Sequence, residues 1–190
     1  MTEICVLAKN SFEQVKEKLI NNGFEFVEAY NNHDIYFTTL SQNLRAVPYS
    51  QLLKQSILLR EITGENLDKK FIVYKKKKFD ISGNVIDETK IKVNIDSIEK
   101  AKTIFKNLEL SCWCDYVVNN YEFKKGEIVV NVQNVDKLGT FIEIEEYESI
   151  KNNSPEEKFN ILKHIILSMD IQTFANYSCK KPYMMLKQTI

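Results

Sequence analysis

The strongest constraint on the fold is a long succession of strand-length runs with short turns between them. Ser56–Thr63, Lys69–Lys78 and Val85–Ile95 are followed by runs at about 111–123, 127–135 and 140–148. The breaks are Gly64-Glu65-Asn66, Ser82-Gly83-Asn84, a Lys-Lys-Gly turn ending at Gly126, and Asp136-Lys137. Runs joined in this way pair as antiparallel hairpins. With further strands nearer the N-terminus, the count reaches eight or nine. A sheet of that size must protect its edges, which predicts an α+β fold: a closed or nearly closed antiparallel β-barrel with helices packed outside. The inward faces of such a barrel hold side chains or a ligand, so function is expected there.

The earlier segments fit this frame. Residues 2–9 alternate, with Ile4, Val6 and Ala8 on the apolar side and Glu3, Cys5, Leu7 and Lys9 on the other. Ser11 and Gln14 form a capping box for a helix that Gly23 ends. Two short strands are predicted around 24–30 and 34–39, with His33 at the turn between them. Pro48 opens a short helical or irregular segment to about Lys54. Asp96 or Ser97 caps a helix over Ile98 to Asn107. Ser154-Pro155-Glu156-Glu157 starts another, running to about Met169, with Ile161, Leu162, Ile165 and Ile166 as its buried stripe. A terminal helix is predicted from near Pro182. A chain of 190 residues fits a single domain, and no internal repeat or linker breaks it.

Within the last run, Leu138-Gly139-Thr140-Phe141-Ile142-Glu143-Ile144-Glu145 places Phe141, Glu143 and Glu145 on one face. Carboxylates two residues apart on a strand project about 7 Å from one another. That face is either a solvated sheet surface or one occupied by a hard cation such as Mg²⁺ or Mn²⁺.

Twenty-six basic against 26 acidic residues argue against a general nucleic-acid or membrane-surface binder, and the Lys75–Lys78 run reads as a strand end entering solvent. No run has the length of a membrane span, and a cytoplasmic location is expected. Cys5, Cys112, Cys114 and Cys179 are too scattered for a zinc site and read as reduced thiols. Arg45 and Arg60 are the only arginines, the residue type that grips phosphate bidentately.

Taken in order, Ala8-Lys9, Asp34-x-Tyr36-Phe37, Ile57-Leu58-Leu59-Arg60-Glu61, Tyr74-Lys75 and Leu138-Gly139-x-Phe141-x-Glu143-Ile144-Glu145 resemble the CYTH family. These are the triphosphate tunnel enzymes, which include class IV adenylyl cyclases, thiamine triphosphatases and inorganic tripolyphosphatases. The resemblance spans nearly the whole chain. It implies an eight-stranded antiparallel tunnel whose lysines and arginines hold a triphosphate while carboxylates hold Mg²⁺ or Mn²⁺. Carried onto this chain, it implies Arg60 and Lys75 as catalytic and substrate-binding groups. Glu3, Glu143 and Glu145 become metal ligands, and Glu88, Asn119, Asn131 and Gln133 further ligand contacts. The partner implied is a small-molecule phosphate or triphosphate, and an exposed barrel edge or the tyrosine-rich surface leaves a homodimer open.

The chain departs from the family pattern on the tunnel walls. The opening Glu-x-Glu-x-Lys appears as Glu3-Ile4-Cys5-Val6-Leu7, and the Leu-Arg-x-Arg strand keeps only Arg60. No lysine or arginine occurs between Lys106 and Lys124, where the family carries a basic cluster, and Gln133 replaces an acid. Lys90 and Lys92 add to the wall charge if their strand turns them inward. Three readings follow: an active enzyme in which metal supplies missing positive charge, a silent member binding a less charged ligand, or an interaction module whose tunnel is a salt-bridged core.

Overall fold

A computed structural model describes residues 2–41, 43–54, 56–79 and 85–188; the side chains at 75–79 and 85–88 lie outside this description. The eight strands are β1 (Glu3–Leu7), β2 (Glu25–Thr38), β3 (Ser56–Gly64), β4 (Leu67–Phe79), β5 (Val85–Asn94), β6 (Ser111–Lys125), β7 (Ile128–Val135) and β8 (Gly139–Glu145). The helices are α1 (Phe12–Asn21), α2 (Tyr49–Lys54), α3 (Ile98–Asn107), α4 (Pro155–Ser168) and α5 (Lys181–Gln188). The strands form one antiparallel sheet in the order β1-β8-β7-β6-β2-β3-β4-β5. Among the described residues the ladder runs open from β1 to β5, so hydrogen bonds do not close a barrel.

The predicted elements recur with one correction. The two strands expected around 24–30 and 34–39 are one continuous strand, β2, and His33 lies within it rather than at a turn. The Tyr-Asn-Asn-His stretch lacks a glycine or proline to force reversal, and pairing with β6 and β3 carries it straight through. His33 Nε2 lies 2.6 Å from Asp115 on β6. The expected turn at Ser82-Gly83-Asn84 lies outside the described residues.

The chain folds as two compact units: Met1–Tyr30 with Val118–Lys181, and Asn31–Val117 with Pro182–Ile190. In the first unit, one sheet face carries Ile4, Val6, Phe123, Val130, Val132, Ile142 and Ile144, packed with Val15 and Leu19 of α1 and Leu162 and Ile166 of α4. Nearly all of these are fully buried, each worth about 1.5–3 kcal/mol. Both helices start as their sequences dictate, with reciprocal capping boxes at Ser11/Gln14 and Ser154/Glu157. Gly23 after α1 adopts φ +80°, a conformation glycine reaches without steric cost, and turns the chain into β2. In the second unit, Ile35, Phe37 and Leu59 pack against Ile98, Ala101 and Phe105 of α3. No helix among the described residues is long and apolar enough to cross a membrane.

The α4 cap gives a pH-dependent prediction. The backbone N–H and hydroxyl of Ser154 bond Glu157 and hold its carboxyl below the usual range. The resulting stabilisation is present above the ordinary glutamate pKa and fades as pH falls through the lowered one. Ser154→Ala should cost about 1 kcal/mol at pH 7 in urea unfolding. That difference should shrink on acidification.

Candidate functional site

The β1–β8 register fixes the site in the first unit. Glu3 pairs with Glu145, Cys5 with Glu143, and Leu7 with Phe141, while the intervening Ile4, Val6, Ile142 and Ile144 turn to the helix-covered core. The face away from α1 and α4 therefore gathers Glu3, Glu143 and Glu145. One carboxylate oxygen of each lies within 4.8 Å of the other two. Oxygens bound to one Mg²⁺ or Mn²⁺ ion at about 2.1 Å are separated by at most about 4.2 Å. A small side-chain adjustment would bring these three hard donors to that spacing, so the donor set fits such an ion.

The β7 strand continues this face. Asn131 pairs with Glu143 and Gln133 with Phe141, and Tyr30 from β2 reaches Asn131 at 3.4 Å. On β6, Glu122 is opposite Asn131 and Asn120 opposite Gln133. The Gln133 amide donates to the Asn120 carbonyl oxygen at 3.1 Å, and Asn120 donates to the Val118 carbonyl. Asn119, expected among the ligand contacts, lies on the other face with Tyr121 and Phe123, because side-chain direction alternates along the strand. Its neighbour Asn120 occupies the place the sequence reading gave to Asn119. Burial, then the Glu28 carboxylate, raises the Glu122 pKa.

Lys181 was not foreseen. Residues 177–179 lie beside β1, where the Cys5 N–H donates to the Tyr177 carbonyl at 3.0 Å and the Cys179 N–H to the Cys5 carbonyl at 2.9 Å. This delivers the Lys181 ammonium to Glu143 Oε2 at 2.7 Å, to the Gln133 side-chain carbonyl and to Cys5 Sγ at 3.6 Å. Burial alone lowers the ammonium's pKa, but the Glu143 carboxylate outweighs this and the net shift is upward. Lys181 therefore remains charged. The Cys5 thiol, buried beneath it, is pushed up to about 12 and is no nucleophile.

In the second unit, Arg60 on β3 makes a two-pronged ion pair with buried Asp34 of β2. Burial lowers the guanidinium's pKa, yet Asp34 turns the net shift upward. Tyr36 stacks on Tyr116 with centroids 6.5 Å apart, and burial raises both phenols above the ordinary range. In the β3-β4-β5 register, Arg60 aligns with Phe71 and Asn94, and Leu58 with Val73 and Lys92. Lys92 thus shares the face of Arg60, its ammonium 3.7 Å above the Phe71 ring. Lys90, two residues earlier on the same strand, shares that face too. Burial, then the nearby Lys90, Lys69 and Arg60 cations, lowers the Lys92 pKa. Lys75 pairs with Lys90 and Glu88 with Lys77 through the backbone, but the side chains of Lys75 and Glu88 lie outside the described residues.

No family model matches the chain. It is 29% identical over 174 residues to a protein of Methanocaldococcus jannaschii named "Putative adenylate cyclase", covering 90% of this chain and 93% of that one. Among solved structures, a Pyrococcus horikoshii protein shares the fold with a TM-score of 0.70 at 21% identity, covering 97% and 96% of the two chains. A Hippeastrum structure, described as a "putative adenylyl cyclase" that reveals a dominant triphosphatase activity, matches with a TM-score of 0.61 at 14% identity, covering 97% and 94%. The two structural likenesses show a shared fold.

The Arg60–Asp34 pair yields a stability test. Asp34→Ala leaves a partly buried guanidinium without its carboxylate, and should cost about 3 kcal/mol in chemical denaturation. Replacing both residues, Asp34→Leu with Arg60→Met, should recover much of the loss.

Proposed function

We propose that this protein is a CYTH-like triphosphate phosphohydrolase that depends on Mg²⁺ or Mn²⁺. The observation that carries the reading is the convergence of Glu3, Glu143 and Glu145, one carboxylate oxygen of each within 4.8 Å of the other two. These three residues would hold the ion, which neutralises phosphate charge when bound. Within the second unit, Lys90 and Lys92 share one sheet face with Arg60. The tunnel implied by the resemblance, a single functional domain and a cytoplasmic location belong to the same proposal. Its ligand is a small molecule rather than nucleic acid or a membrane. Hydrolysis is preferred to cyclisation because it asks only for positioning, charge neutralisation and a water nucleophile.

A second reading has its own support. Arg60 is engaged by Asp34 and Lys181 by Glu143, so these two basic groups already balance acids. Under that reading the protein binds a phosphorylated metabolite or a nucleotide without turning it over.

Thermal melting separates these outcomes. Mn²⁺ with tripolyphosphate at about 100 times its Kd should stabilise by about 2.7 kcal/mol. For a chain of this length, that raises Tm by about 5–10 °C. Glu143→Gln should remove most of the shift together with phosphate release. A shift without phosphate release supports the silent reading. No shift with tripolyphosphate, ATP or thiamine triphosphate, with or without metal, sinks the hydrolase.

A further inference from the structure

We propose that Lys181 is a built-in counter-cation of the Glu3, Glu143 and Glu145 cluster, and that it competes with a divalent ion and sets how tightly that ion is held. The inference rests on the metal reading above and adds a residue that the sequence pattern did not assign.

Its basis is the completeness of the Lys181 site. An ammonium has three N–H donors. Here three acceptors surround it: the Glu143 carboxylate, the Gln133 carbonyl and the Cys5 sulfur. Gln133 is oriented in turn by Asn120, and the Phe141 ring lies 5.9 Å from the ammonium. Only 13% of the Lys181 side chain is exposed. The pairing of residues 177–179 with β1 fixes where the lysine enters. Such a group is held in place, unlike a surface lysine sampling many rotamers.

The consequence is electrostatic. An ion drawing on Glu143 must share that carboxylate with Lys181 or displace it, and the two cations repel at close range. Removing the ammonium should therefore strengthen metal binding even though it removes a native hydrogen bond. An ordinary structural lysine predicts the opposite or no change.

The test measures Mn²⁺ binding to the full chain by calorimetry and by the Mn²⁺ paramagnetic resonance signal, without any phosphate ligand. Lys181→Met should tighten Mn²⁺ binding at least about tenfold, the scale of one hydrogen bond to a charged group. Lys181→Arg, which keeps the charge, should stay within about threefold of the parent. Should the methionine variant fail to fold, Lys181→Gln serves the same purpose. The unmodified protein gives an independent readout: saturating Mg²⁺ should shift the Lys181 side-chain NMR signals more than those of any other lysine. If the parent binds Mn²⁺ and the neutral variants bind it no more tightly, the competition is refuted while the metal site stands. If neither parent nor variants bind Mn²⁺, the metal site fails and takes this inference with it.

Discussion

The antiparallel pairing of β1 with β8 is the interaction on which the candidate site depends. Strand side chains alternate between faces, so a slip of one residue would drive Glu143 and Glu145 into the apolar layer under α1 and α4. Burying two unpaired carboxylates there would cost several kcal/mol each. The same slip would expose Ile142 and Ile144. The apolar core therefore enforces the register, and the register assembles the carboxylates. Thr2 adds to the hold: its N–H donates to Glu146 at 2.9 Å, and Lys158 of α4 reaches the same carboxylate at 2.8 Å.

Within each unit, charge is placed beside its counter-charge before any ligand arrives. Arg60 is gripped by Asp34 in the second unit, and Lys181 by Glu143 in the first. Leaving either cation desolvated and alone would be costly, so each pair is a local solution to burying polar groups. The solutions differ in consequence. Asp34 is 1% exposed and engages Arg60 with both oxygens, which ties the arginine to the fold. Glu143 is only half-buried and is one of three clustered carboxylates, which is where the proposed exchange of its lysine for a divalent ion would occur.

Much of this was legible in the sequence, and the misses have physical causes. The carboxylate face of β8 followed from alternation alone, since two-residue periodicity survives whatever a strand pairs with. The helix starts at Ser11 and Ser154 followed from capping chemistry that acts within four residues. Asn119 was assigned to the wrong face because both residues of the Asn119-Asn120 pair are polar and only the β6–β7 register distinguishes them. His33 was read as a turn residue because Asn-Asn suggests reversal, whereas β2 gained more by pairing along its whole length. Lys181 left no local signal. Its position depends on residues 177–179 aligning with a strand more than 170 positions earlier.

The charge balance of the first unit depends on where Lys181 lies. Counting only strand positions, that face of the first unit gathers three carboxylates. A lysine arriving from beyond the strands brings one positive charge to the same face, beside the Cys5 thiol and Gln133. Cys5 and Gln133 are uncharged, and each acts as an acceptor for that ammonium. A glutamate in place of either would hold the lysine more firmly and raise the negative charge around it. A cationic group there would repel it. Neutral acceptors at these two positions are what permit a lysine to rest on Glu143 without being locked to it, so Cys5, Gln133 and the position of Lys181 are parts of one electrostatic arrangement.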